Sequence, residues 1–132
     1  MAINTTVRTF RDLDLNFTRH PATNDVASRV GDQAIIRSVR NLINMSNYDK
    51  PFHPEIGGLV RQILFENISS LTAQHLKRAI QDIIVNFEPR VKLRDVVVQA
   101  REDSNSFDVS ISFYIVNQAT PTTINVFLER VR

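Results

Sequence analysis

Around Pro89 the spacing of apolar residues changes from a period near 3.6 to a period of 2, and this switch constrains the fold more than any other feature. Upstream, Leu76, Ala79, Ile80, Ile83 and Phe87 recur at helical spacing. Downstream, Val91 and Leu93, then Val96, Val98 and Ala100, alternate as in a strand, and a phase shift near Asp95 predicts a bulge. Helices followed by strands define an α+β chain. Pro89 enforces the change, because its ring disfavours helical geometry at the residue before it. Its neighbours are unusual: Glu88 ends a helix, where a negative charge opposes the macrodipole by about 0.3–1 kcal/mol, and Arg90 opens a strand. Glu88, Pro89 and Arg90 are therefore a candidate contact with a partner. The simpler reading is a local ion pair worth about 0–1 kcal/mol if exposed; on the docking reading Arg90→Ala leaves the domain folded while binding to the partner falls sharply.

The remaining elements follow from local patterning. Residues 1–30 are polar, with alternation at Leu13, Leu15 and Phe17 that suits an extended arm. Ile35, Ile36, Val39, Leu42 and Ile43 form one helical stripe over residues 32–44, with Asp32 as its cap. A connection over 44–58 carries Tyr48, Phe52 and Ile56 and is expected to be structured, with Gly57 and Gly58 permitting a tight backbone path. A short helix over 59–66 precedes a third, with Thr72 as cap and Leu71 stapled onto Leu76. After the first strand, Phe107, Val109, Ile111, Phe113 and Ile115 alternate with polar residues, and Ile124, Val126 and Leu128 mark a last strand. The plan is an arm over 1–30 and one domain over 31–132, with about three helices and a three-stranded antiparallel meander. The last strand, centred on Ile124, Asn125, Val126, Phe127 and Leu128, is placed at a sheet edge where free backbone groups accept another chain's strand. Its ordinary alternative is an edge protected by Glu129 and Arg130.

Composition excludes several classes. A chain of 132 residues buries roughly two-thirds of its unfolded surface and needs no staple. Sixteen basic against fourteen acidic side chains, interspersed, argue against nucleic acid as a partner. The absence of cysteine removes thiolate catalysis, zinc–thiolate sites and disulfides, and fits a reducing cytosol. No apolar core follows Arg8 and Arg11, so a secretory signal is not expected. The uncharged run over 109–128 is interrupted by Ser110, Ser112, Asn117 and Pro121 and reads as two strands and a turn, not a membrane span. His20, His53 and His75 lack any ligand at a recognised spacing, so no metal and no cofactor is expected. Nucleophile and phosphate-binding motifs are absent. Glu55, Glu66 and Glu88 are the carboxylates a glycosidase would draw on, but fourteen acids guarantee such pairs, and no Trp-rich sugar platform accompanies them.

FRDLDLNF at 10–17, RSVRNLI at 37–43, KPFHPEIG at 50–57, ILFEN at 63–67 and NFEPRV at 86–91 occur in an order and spacing that resemble the small baseplate wedge proteins of contractile-tailed phages, whose relatives include a type VI secretion baseplate component. The resemblance implies that Glu88, Pro89 and Arg90 dock on the helical bundle of the larger wedge proteins. It also implies a sheet that templates strand exchange with the first ring of tail sheath subunits, which the edge strand at 124–128 would serve. It further implies a non-enzymatic virion component, in multiple copies around the tail axis, assembled in the host cytoplasm. A lysozyme label attaches to some members, so a peptidoglycan-cleaving tail enzyme is the alternative, with the secretion-system homologue as a second.

Overall fold

The computed structural model describes residues 9–131, which divide along the chain into two compact units between Arg37 and Ser38. The second unit carries the switch read from the sequence. Its long helix α3 (Ser70–Phe87) buries Leu76, Ile80, Ile83 and Ile84 along one stripe. The Ser69 side chain caps it, accepting the Thr72 N–H at 3.1 Å. Thr72 is therefore not the cap: it lies inside the first turn and donates its hydroxyl to the Asn67 carbonyl at 2.8 Å. Leu71, placed two residues into the helix, faces solvent and does not staple Leu76.

Past Pro89 the chain builds strands β3 (Val91–Arg101), β4 (Ser106–Ile115) and β5 (Pro121–Glu129), an antiparallel meander in the order β3-β4-β5. The expected phase shift is real, since the pairing slips between Leu93 and Asp95 and leaves Arg94 as the extra residue. On β4, Phe107, Val109, Ile111, Phe113 and Ile115 all face the core. Ile124 and Leu128 of β5 join them, and Val96 of β3 closes the layer. The outer face mixes polar pairs, Ser110 donating to Asn125 at 2.9 Å and Arg101 paired with Asp108, with exposed Val97 and Phe127. The uncharged run over 109–128 is thus most of β4, a turn and most of β5. Among the described residues no helix is long and apolar enough to cross a membrane.

Helix α1 (Asp32–Asn44) buries Ile35, Val39, Leu42 and Ile43 as its stripe demands. The short helix is trimmed to α2 (Val60–Ile63), with Val60 and Leu64 buried but Leu59 half exposed. The connection at 45–58 is structured, though not by burial of its aromatic residues: Tyr48 and Phe52 point to solvent. Backbone contacts hold it instead. Ser46 bridges Gly58, and Gly57, at φ +137°, lies so close that a Cβ would stand 2.5 Å from the Ser46 carbonyl oxygen. Gly57→Ala therefore combines a forbidden φ with a clash against backbone. It should destabilise the protein by about 3 kcal/mol, read as a lower urea midpoint at unchanged slope.

In the first unit the arm is doubled back on itself. Strands β1 (Arg11–Leu13) and β2 (Ser28–Val30) pair antiparallel, extended by a bridge between Arg19 and Val26. Residues 1–8 of the expected arm lie outside the described residues. The alternation of Leu13, Leu15 and Phe17 does not bury those side chains, which are exposed. Asp14 is buried between them. It accepts hydrogen bonds from the Thr18 hydroxyl and the Asn16 N–H and pairs with Arg37 at 2.9 Å and Arg29 at 3.5 Å. The Thr18 bond, helped by Asn16 and the two arginines, outweighs desolvation and holds the Asp14 carboxyl below its ordinary value.

Candidate docking site at the helix–strand junction

Glu88 follows the last residue of α3 and still donates its N–H to the Ile84 carbonyl at 3.0 Å. Val91 N–H returns to the Glu88 carbonyl at 3.3 Å, so Glu88, Pro89, Arg90 and Val91 form a turn with proline at its preferred second position. This turn points the Glu88 and Arg90 side chains the same way. Arg90 forks onto the carboxylate, Nε to Oε1 at 2.6 Å and Nη2 to Oε2 at 2.9 Å. The Ser38 hydroxyl of α1 donates to Oε2 from the other side.

The expectation of an exposed pair is wrong. The Glu88 side chain is 3% exposed and that of Arg90 21%, so the acid lies inside the protein and its arginine forms the lid. Pro89 is exposed at the corner of the turn. Burial raises the Glu88 pKa, but the bonds from Arg90 and Ser38 and the arginine charge outweigh it and hold the carboxyl below its ordinary value. A depressed folded value means that this contribution to stability is complete above the ordinary glutamate value of 4.5 and is lost as the pH falls from there through the folded value. Chemical unfolding of wild type and Glu88→Gln from pH 7 to 3 should show the two stabilities converging over that interval. Ser38 is the member of this cluster that the sequence does not single out. Its signal was faint: a hydroxyl between Ala34 and Leu42 on the otherwise apolar stripe of α1.

The second candidate set lies on β5, an outer strand of the sheet. Arg130 donates its N–H to Asn105 at the β4 side, and Val131 donates to Leu64 on the opposite side. Backbone groups alternate in direction along a strand, so those of Ile124, Val126 and Leu128 pair with β4, while those of Asn125 and Phe127 face the open edge with Thr123 and Glu129. Beside this edge runs a groove of about 420 Å3 with apolar walls from Ile43, Val60, Leu64, Leu128 and Val131. The other outer strand is less suited to pairing, because β3 carries the Arg94 bulge and exposed Lys92.

Three helices, a three-stranded antiparallel meander and a Glu-Arg fork at the helix–strand junction define an α+β fold whose relatives are recognisable. Residues 29–120 match the family described as baseplate wedge protein gp25, and the chain belongs to that family. The curated baseplate wedge protein gp25 of Enterobacteria phage T4 is 32% identical over 93 residues, covering 70% of each chain. Among solved structures, a chain of the anti-feeding prophage baseplate superposes with a TM-score of 0.73 at 23% identity, over 84% of this chain and 89% of that one. A Geobacter sulfurreducens protein described provisionally as a tail lysozyme superposes with a TM-score of 0.70 at 17% identity, over 76% of this chain and 92% of that one. At those identities the two structures establish a shared fold.

Proposed function

We propose that this baseplate wedge protein docks on the helical core of its wedge through the corner formed by Pro89 and Arg90, and that the open edge of β5 receives a strand from the first ring of tail sheath subunits. The observation that carries the reading is the fork at Glu88. A buried carboxylate fixes the guanidinium in one orientation at the surface, so a partner meets a pre-set planar donor group and little side-chain entropy is lost on binding. Of the three signature residues, Glu88 positions Arg90, and Pro89 and Arg90 make the contact. The β5 edge supplies the second surface, with Asn125 and Phe127 presenting main-chain groups and Ile124, Val126 and Leu128 holding the strand to the sheet. Copies would be arranged around the tail axis of a contractile particle assembled in the host cytoplasm.

The protein is further proposed to have no hydrolytic role. A glycosidase acid needs a raised pKa, whereas Glu88 is held low by its fork, and Glu55 is held low by its own N–H and by His53. The test is to express the particle's genes with and without this chain. Without it, baseplates should fail to recruit sheath, and the purified protein should release no soluble fragments from cell wall. Sheathed particles formed in its absence, or hydrolysis abolished by Glu55→Gln or Glu88→Gln, would overturn the reading.

A further inference from the structure

The connection at 45–58 holds two large aromatic side chains almost entirely in water, Phe52 at 97% and Tyr48 at 82% exposure. Both sit at left-handed backbone angles, φ +66° for Phe52 and +73° for Tyr48, which bulky residues avoid. A slack loop would relax out of that conformation and lay the rings on the surface. This one is tied at several points: Tyr48 N–H to the Pro54 carbonyl at 3.1 Å, Ser46 N–H to the Asp49 carboxylate at 2.8 Å, and Gly58 N–H to the Met45 carbonyl at 3.1 Å. Large, rigid, solvent-facing aromatics on a fixed backbone are the anchors that protein interfaces use.

The root of the loop lies close to the fork. Gly58 abuts Ile83 of α3, where an added Cβ would fall 2.0 Å from Ile83 Cδ1, and Ile83 precedes Glu88 by five residues. On α1, Ser38 touches Glu88 and the helix ends at Asn44, just before the loop. At 1.5 Å of rise per residue, both routes put the loop root roughly 8–9 Å along the helices from the fork. The chemistry of the loop selects the partner class. Its charged residues are Asp49, Glu55 and Lys50, two acids against one base, which disfavours an anionic lipid surface or nucleic acid.

We propose that Phe52, supported by Tyr48, is a second anchor that enters an apolar socket on the protein subunit that also receives Arg90. The inference rests on the docking reading above for the identity of that subunit. To test it, p-benzoylphenylalanine is placed at position 52, and assembled particles are irradiated and the adducts identified by mass spectrometry. The expected adduct joins this chain to a subunit of another kind. In parallel, Phe52→Ala should enter particles at least tenfold less efficiently at an unchanged melting temperature, since the side chain is 97% exposed. Adducts only with a second copy of this chain, only with lipid, or none at all would overturn the inference, as would normal incorporation of Phe52→Ala. A variant with the fork removed separates the two readings. If it enters particles normally while the position-52 adduct with another subunit persists, the anchor stands and the docking role of Arg90 falls. If it is excluded while Phe52→Ala is not, the reverse holds.

Discussion

Arg90→Ala is expected to lower stability by about 3 kcal/mol, because it takes the forked cation from a carboxylate that is 3% exposed in the intact protein. The residual partners are the Ser38 hydroxyl and the backbone N–H of residue 90, two neutral donors for a full negative charge, and the carbonyl end of α3 adds an unfavourable field. For a chain of 132 residues the loss corresponds to a fall of roughly 10 °C in melting temperature. A shift within about 1 kcal/mol would show that water reaches Glu88 and that the pair behaves as an ordinary surface bridge. This prediction reverses the expectation from sequence that the alanine variant stays folded. It also removes that variant as a probe of docking, since lost binding and lost folding would look alike. The double variant Glu88→Met/Arg90→Met is the cleaner probe. Replacing a buried ion pair by apolar side chains of similar volume is often neutral. It should melt within a few degrees of wild type and still fail to join the wedge.

The contrast shows where sequence reasoning reaches and where it stops. The change of period at Pro89, the bulge near Asp95 and the inward residues of β4 were legible, because each depends on residues a few positions apart. Glu88 was conspicuous for the same reason, a local conflict between an acid and the end of a helix. Its burial was not legible, because it depends on Ser38, fifty residues away in sequence. The capping of α3 failed locally: Ser69 and Thr72 are both good caps, and the Asn67 carbonyl claimed the Thr72 hydroxyl. The aromatics of the 45–58 connection were partly legible. They signal a structured loop, and the loop is structured, but its backbone holds it and Tyr48 and Phe52 turn out to solvent. Around Asp14 the pattern is inverted too, since two hydrogen bonds and two arginines compensate burial of the acid while Leu13, Leu15 and Phe17 remain outside.

The strand-exchange reading predicts opposite outcomes for proline at two adjacent positions of β5. At Asn125 the backbone N–H faces the open edge, so Asn125→Pro removes no bond to β4. It forfeits only the hydrogen bond from Ser110 and some backbone freedom, a cost of about 1 kcal/mol. At Val126 the N–H pairs with Val109 of β4. Val126→Pro leaves that carbonyl unpaired inside the sheet and drives a ring into the ladder, at a cost of about 3 kcal/mol or more. If the edge receives a sheath strand, Asn125→Pro should yield folded protein that enters baseplates and recruits no sheath, because an incoming strand needs that N–H and meets the ring instead. Val126→Pro should fail earlier, as a destabilised chain. Melting temperature, baseplate incorporation and sheath content by electron microscopy separate the two. Normal sheathing on baseplates carrying Asn125→Pro would mean that the sheath does not pair with β5. The bulged β3, with Arg94 and Lys92 on it, is a poor substitute edge, so that result would remove strand exchange with this sheet altogether.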